Sequence, residues 1–322
     1  MEILLASLLV VGGLVLLAGG GEALVRGATA IAQLAGLPAA VIGLTIVAMG
    51  TSLPELVVSV MASLREQPDI AVANVVGSNI FNVAGALGLT ALLLPLPVHG
   101  NAVKLEWPFM FLASCLCLVL SRDGLLDRAE GAFFVVSLAL FVAYTVRLAR
   151  RDVQAVERAE LEEAVDARTL PRRGRRYAVA GGLVLLGVVL LVVGGRLLVD
   201  GAVALARLAG LTERVIGLTV VAAGTGAPEL ATSLVAAMRQ RTDVAVANMI
   251  GSNIFNILGI LGVAALVRPL AVSPAIVGSD MWWMLGTALL LYPLMRSGAR
   301  LVRAEGGLLL AAYVVYVVML LR

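Results

Sequence analysis

The chain has 322 residues, of which 61% are hydrophobic and only 14% are charged, and its mean hydropathy is +1.02. A soluble domain carries about 25% charged residues, so this composition excludes a soluble protein and indicates one embedded in a lipid bilayer. The net charge of +3 comes from basic residues in predicted loops, which we interpret as topology signals and not as a nucleic-acid-binding surface.

Ten apolar segments are long enough to cross a bilayer as helices. They are continuously apolar and do not alternate, which argues against a β-barrel. The segments, called here the first to the tenth span, are residues 3–25, 38–63, 70–93, 103–121, 129–148, 178–200, 212–238, 244–267, 276–296 and 304–321. The first and sixth spans can extend through Leu34 and Leu208.

The strongest sequence signal is an internal repeat. Residues 36–98 and 210–272 match at an offset of 174 residues without a gap, with 36 identities in 63 columns. Each copy lies in a set of five spans, and an odd number of spans makes the second set enter the membrane in the opposite orientation. We therefore predict an all-α membrane protein with ten transmembrane helices, in two inverted five-helix repeats at residues 1–148 and 177–322.

The polar stretch between the repeats, residues 149–176, is predicted to be a linker. Its centre, residues 153–168, has alternating charges typical of a solvated helix or a flexible segment. Lys and Arg number 16 on the linker side and 7 on the other. By the positive-inside rule, the linker lies in the cytoplasm and both termini lie outside, which predicts an integral protein of the plasma membrane.

One pair of charges in each repeat is predicted to be structural. Glu22 and Arg26 align with Arg196 and Asp200, and each pair is four residues apart on one helix face. We interpret both as ion pairs within a helix, with a role in gating as the alternative.

The repeat carries one carboxylate per copy inside an apolar span, Glu55 and Glu229. A carboxylate at membrane depth is costly and usually faces a cavity, a partner or an ion. Pro54 and Pro228 precede the glutamates and should break their helices. Each break is expected to free backbone carbonyls, near Ala48 and Thr51 in the first copy, and irregular backbone at this depth normally lines a cavity.

The following span adds neutral polar residues in each copy. Ser78 and Asn82 are four residues apart on one face, and Ser252 and Asn256 repeat them. Asn79, like its counterpart in the second copy, lies about 100° away and is expected to form hydrogen bonds between helices. The donor set consists of hard oxygens, which suit Na⁺ and Ca²⁺ better than soft transition metals.

These motifs, GTSLPEL…GSNIFN and GTGAPEL…GSNIFN, resemble the two α-repeats of the sodium/calcium exchanger family. The resemblance covers both repeats and the ten-helix plan. It implies clustered ion sites halfway across the membrane, with Ca²⁺ between Glu55 and Glu229. The remaining ligands that it implies are the carbonyls of Thr51 and Thr225 for Ca²⁺, and Ser52, Ser78, Ser252 and the carbonyls of Ala48 and Ala222 for Na⁺.

The chain departs from the family pattern at two positions. Gly226 replaces a serine, so one hydroxyl ligand for Na⁺ is missing, and we expect the Na⁺ site beside Glu229 to be the weaker one; alternatively, Gly226 only relaxes the helix break. Asn256 stands where potassium-dependent relatives carry Asp, which argues against a requirement for K⁺. The motif of proton-coupled calcium exchangers is absent.

The sequence therefore predicts a secondary antiporter that exchanges Na⁺ for Ca²⁺, with those two ions and the lipid bilayer as partners and no cofactor. An antiporter of the same fold that couples H⁺ or another divalent cation is the alternative. An intramembrane protease is disfavoured, because the one histidine, His99, lies in a loop without a counterpart in the second repeat. The oligomeric state is not predicted.

Overall fold

In the computed structural model, described residues are 2–66, 68–156, 170–210 and 222–320, and each predicted span overlaps one or more helices among them. The first and sixth spans extend to Ala35 and Leu208. The helices are given next in order from the first span to the tenth, with a semicolon between spans and with π-helical and 3₁₀ parts marked. They are Glu2–Ala35; Ala39–Ile42, Gly43–Val47 (π), Ala48–Thr51 and Leu53–Leu64; Pro68–Ile80, Phe81–Leu87 (π) and Gly88–Leu93; Ala102–Glu106 (π), Trp107–Leu120 and Ser121–Asp123 (3₁₀); Arg128–Val156; Leu170–Leu208; Ala222–Thr225 and Ala227–Met238; Thr242–Ile254, Phe255–Leu261 (π) and Gly262–Val267; Ile276–Asp280 (π), Met281–Arg296 and Ser297–Ala299 (3₁₀); and Arg303–Leu320.

Seven of the described helices are long and apolar enough to cross a membrane, and a bent pair in the second span makes an eighth. The predicted start of the seventh span, residue 212, lies outside the described residues. Both ends of the predicted linker are helical, because the fifth span continues to Val156 and the sixth begins at Leu170. The centre of the linker, residues 157–169, also lies outside the described part.

Two short strand pairs establish that the repeats are inverted. Strand β1 (Leu96–Pro97) precedes the fourth span and pairs with β4 (Arg300–Leu301), which follows the ninth span. Strand β2 (Leu125–Leu126) follows the fourth span and pairs with β3 (Leu270–Ala271), which precedes the ninth. The fourth and ninth spans are counterparts in the two repeats, and these pairings require them to run in opposite directions.

The first and sixth spans form a close antiparallel pair. Glycines recur every seven residues in both helices, at 13, 20 and 27 and, after the offset of 174, at 187, 194 and 201. A methyl group at Gly187 would lie 2.5 Å from the backbone nitrogen of Leu24, and one at Gly20 would lie 2.9 Å from that of Leu191. Small residues allow helix backbones to approach this closely in a membrane.

The third and eighth spans form the centre of the molecule. In each, 78% of the residues in the most apolar window are buried, against 22% in the first span and 17% in the tenth. These two central helices carry the repeated Gly-Ser-Asn motif, so the polar residues of the repeat lie inside the bundle and the apolar faces of the outer spans face the lipid.

Candidate cation site

The two glutamates lie at mirrored helix breaks in the interior. Helix Leu53–Leu64 begins after a bend of 47° at Ser52, and helix Ala227–Met238 begins after Gly226. Glu55 and Glu229 lie in the first turn of these helices, and each is 1% exposed. The positive end of a helix dipole favours a carboxylate, while the negative end of the preceding segment points into the same break and favours a cation.

Four buried oxygens in this region accept no hydrogen bond from any residue that the structure describes. They are Glu55 Oε2 and Glu229 Oε2 at the breaks, and Asn82 Oδ1 and Asn256 Oδ1 on the central spans. Both members of each pair are related by the repeat, which makes a chance defect of packing an inadequate explanation. Buried acceptors without donors are costly, and a carboxylate or amide oxygen in this state is free to coordinate a cation.

Both hydroxyls at the first break contact the second repeat. Ser52 Oγ donates to Glu229 Oε1 at 2.8 Å, and Thr51 Oγ1 lies 3.5 Å from Ser252 Oγ. The sequence grouped Ser52 with Glu55, so the structure corrects this grouping. Because Gly226 is the counterpart of Ser52, the symmetry of the repeats assigns the missing hydroxyl to Glu55 and not to Glu229.

The carbonyl of Ala48 is not free of protein donors in this structure. It accepts hydrogen bonds from the backbone N–H of Ser52 at 3.1 Å and from the hydroxyl of Thr51 at 3.2 Å. In the second repeat, Ala222 and Thr225 begin and end the segment that precedes the break. Ser78 is buried on the third span, 6% exposed.

Asn79 and Asn253 connect the two central spans, as expected from the sequence. Asn79 Nδ2 donates to the backbone oxygen of Asn253 at 3.4 Å, and Asn253 Nδ2 donates to that of Asn79 at 3.3 Å. Their Oδ1 atoms accept bonds from the Asn256 and Asn82 amides, both at 3.1 Å. The second pair of bonds orients the amides of Asn82 and Asn256, whose own oxygens remain without donors.

Position 226 has no room for a side chain, and this lack of room, not a special backbone conformation, explains the glycine. Its φ and ψ of −83° and 3° match those of Ser52, −84° and 9°, a conformation open to any residue. A methyl group at Gly226 would lie 2.5 Å from Cε1 of Phe81. The Phe81 ring, in edge-to-face contact with Tyr313, therefore occupies the space that a serine hydroxyl would need.

Two features of the site were missed from the sequence. Asn74 Nδ2 donates to Ser59 Oγ at 2.9 Å, and Asn248 Nδ2 donates to Ser233 Oγ at 3.0 Å, so each glutamate helix is bonded to the span that follows it. The repeat itself contained this signal, because both residues of each pair recur at the same offset. Asn82 and Asn256 also lie in π-helical turns, which occur often at functional sites.

A buried, oxygen-lined site between two inverted repeats with broken helices is the architecture of an ion-coupled membrane transporter. The sequence model of the sodium/calcium exchanger protein family matches residues 5–147 and 179–322. The chain therefore belongs to the sodium/calcium exchanger family, which is a family of membrane transporters and not of enzymes.

Relatives of known sequence match almost the whole chain. The chain is 37% identical to inner membrane protein YrbG of Escherichia coli K12, over 98% of this chain and 97% of the relative. It is 39% identical to the putative antiporter CaxA of Alkalimonas amylolytica, over 97% and 98%. It is 31% identical to the sodium/calcium exchanger MaX1 of Methanosarcina acetivorans, over 96% of each chain.

The fold is also that of a solved exchanger. The sodium-calcium exchanger NCX_Mj superposes with a TM-score of 0.82 at 31% identity, over 98% of this chain and 99% of that one. The predicted all-α, two-repeat membrane fold and the predicted family are confirmed.

Proposed function

We propose that this protein exchanges Na⁺ for Ca²⁺ across the membrane, with Glu55 and Glu229 as the shared charged ligands. The observation that carries the proposal is the mirrored set of four buried oxygens that receive no hydrogen bond from the described part of the chain. Two carboxylates balance one Ca²⁺ or two Na⁺, and the remaining acceptors are neutral. Competition for one pair of charges is the physical basis of exchange at a single site.

The surrounding oxygens supply the rest of the coordination in this proposal. Asn82 and Asn256 offer amide oxygens, while Ser52, Ser78 and Ser252 offer hydroxyls. The backbone carbonyls at Thr51, Thr225, Ala48 and Ala222 complete the set. All are hard donors of the kind that Ca²⁺ binds. Because Phe81 fills the space beside Gly226, we propose that one Na⁺ position next to Glu55 is lost.

Unequal packing of the two breaks supports alternating access. A methyl group at Gly21 of the first span would lie 3.3 Å from the backbone oxygen of Ala231 and 3.3 Å from Val235 Cγ2. The counterparts of Ala231 and Val235 in the first repeat are Val57 and Met61, which are 52% and 42% exposed. The pair formed by the first and sixth spans thus covers the broken helix of the second repeat and leaves that of the first uncovered.

In the proposed cycle, the first and sixth spans move together, so that they cover the broken helix of the first repeat and uncover that of the second. Helix Leu53–Leu64 ends next to Glu66, whose carboxylate pairs with Arg268 on the face away from the linker. The uncovered flank of this helix therefore runs toward that face. With the linker in the cytoplasm, as the distribution of basic residues predicts, we propose that the described state faces outward with its ion site still closed, because Thr51, Ser52 and Glu55 are each at most 1% exposed.

Calcium flux into proteoliposomes tests the proposal. With Na⁺ inside and none outside, Ca²⁺ uptake should be many times faster than with Na⁺ on both sides, and a protonophore should leave it unchanged. Vesicles that contain the Glu55→Gln/Glu229→Gln protein are the control for leakage. Uptake driven by an imposed pH gradient without Na⁺ would contradict Na⁺ coupling and favour the H⁺/Ca²⁺ alternative, for which the titratable Glu55 and Glu229 are the candidate carriers.

A further inference from the structure

A polar cavity opens on the face of the molecule that carries the linker. It has a volume of about 230 Å³ and lies between the start of the second span, the start of the fourth, the end of the fifth and the start of the eighth. Its polar lining consists of His99, Asn101, Glu106, Thr145 and Asp243. At about 30 Å³ for each water, the cavity has room for a cation together with several waters.

Two buried side chains of the cavity lining have oxygens without hydrogen-bond partners among the described residues. Glu106 and Thr145 are each 4% exposed, and Glu106 Oε2 and Thr145 Oγ1 have no hydrogen-bond partner within the described ranges of the chain. Asp243 also lines the cavity and is half-buried, while the lining residues His99 and Asn101 are exposed. Among the described lining residues there is no lysine or arginine, so the cavity contains two carboxylates without a compensating basic residue.

We propose that this cavity binds a divalent cation, with Glu106 and Asp243 as its charged ligands. The cation balances their two negative charges and satisfies the buried oxygen of Glu106. The Thr145 hydroxyl, the Asn101 amide and waters offer further hard oxygens, and this donor set suits Ca²⁺. A buried carboxylate otherwise lacks both a partner and a solvent shell, which is a costly state.

This site is separate from the four-oxygen site but close to it. Ala247 lines the cavity and precedes Ser252 by five residues on the same helix, which corresponds to about 7.5 Å along the axis. Val41 also lines the cavity and precedes Ala48 by seven residues, or about 10 Å. A cation bound there lies on the linker-side approach to the proposed transport site.

The repeat provides a matched control residue for this site. Asp280 is the counterpart of Glu106, at the same offset of 174 and at the end of an equivalent π-helical turn. Its carboxylate accepts a hydrogen bond from the Tyr316 hydroxyl at 3.3 Å, so it is already satisfied by the protein.

Equilibrium binding of ⁴⁵Ca²⁺ to the full-length protein in detergent, without Na⁺, tests the proposal. The Glu55→Gln/Glu229→Gln protein lacks the charges of the central site and should still bind about one Ca²⁺ per chain. Adding Glu106→Gln should weaken that binding at least tenfold, as should adding Asp243→Asn. Adding Asp280→Asn should leave it unchanged.

Several outcomes would overturn the proposal. One is a failure of the Glu55→Gln/Glu229→Gln protein to bind Ca²⁺ at millimolar concentration. Another is equal binding after Glu106→Gln or Asp243→Asn, in protein that elutes as a single species and melts at the parent temperature. If Glu106→Gln prevents folding, Asp243→Asn alone decides. Because every variant lacks the central carboxylates, failure here is distinguishable from failure of the proposed exchange function.

Discussion

At the scale of single residues, the site depends on two charges that its other ligands cannot replace. Glu55→Gln or Glu229→Gln should each lower Ca²⁺ transport at least about a hundredfold. The reason is that one unit of charge at contact distance contributes several kcal/mol in a partly screened interior. Each variant should retain its fold, because Gln keeps the shape of Glu. Near-normal Ca²⁺ uptake by either variant, measured in proteoliposomes at equal protein density, would contradict the central assignment.

The structure changes the expectation for Gly226. From the sequence, Gly226→Ser should strengthen Na⁺ binding by adding a hydroxyl. With Phe81 in that space, we expect Gly226→Ser alone to destabilise the protein by about 1–3 kcal/mol, the usual cost of overpacking, without a gain in Na⁺ affinity. The double variant Gly226→Ser/Phe81→Leu has room for the hydroxyl and should recover stability and bind Na⁺ more tightly.

Melting temperature and Na⁺ inhibition of Ca²⁺ binding measure the two effects. Phe81→Leu by itself is the control for loss of the ring. Tighter Na⁺ binding in the single Gly226→Ser variant, with an unchanged melting temperature, would show that Phe81 does not close the position.

Asn256 carries a second expectation at this scale. Because it is neutral where potassium-dependent relatives have Asp, Na⁺-driven Ca²⁺ uptake should proceed at an unchanged rate when choline replaces K⁺. Asn256→Asp adds a buried negative charge, and its uptake rates in K⁺ and in choline should be compared with those of the unmodified protein. A flux that disappears in choline and returns with K⁺ would refute K⁺ independence in the unmodified protein.

At the scale of elements, the glycine contacts between the first and sixth spans define how closely these helices pack. Gly187→Ala should separate them, since its methyl group would lie 2.5 Å from the Leu24 nitrogen, and we expect a loss of about 1–3 kcal/mol. Gly182→Ala is the matched control on the same helix, because a methyl group there meets nothing within 4 Å. That variant should be neutral or slightly stabilising. Equal melting temperatures for the two variants would contradict the close-packed pair.

At the scale of the whole molecule, the charges at the ends of the spans are not symmetric. The predicted Glu22–Arg26 pair is present, and Glu22 also pairs with Arg239 at 2.8 Å, which joins the first span to the seventh. The counterparts of Glu22 and Arg239 are Arg196 and Arg65, two like charges. In the opposite state of the proposed cycle, we expect these two arginines to lie close together, and their repulsion should then favour the described state.

Glu22→Gln should therefore shift the population toward the opposite state. Because the Glu22 and Arg239 side chains are partly exposed, their ion pair is weak, and the ratio of the two states should change at most about fivefold. In a variant without its native cysteines, Met61→Cys should react more slowly with an impermeant thiol reagent once Glu22→Gln is added. Glu66→Gln, which removes an ion pair away from the first span, is the control. Faster labelling of Met61→Cys after Glu22→Gln would contradict the proposal that the Glu22–Arg239 pair favours the described state.

The sequence by itself determined the repeat, the spans, the broken helices and the polar residues of the site. The reason is that an offset of 174 residues identifies matching positions without coordinates, and a carboxylate inside an apolar span requires an explanation. Tertiary structure decided which groups meet: Ser52 with Glu229, Phe81 with Gly226, Glu22 with Arg239, and the cavity beside Glu106. Helical periodicity assigns a residue to a face of its own helix, but the neighbour of that face is set by how two inverted repeats pack around each other.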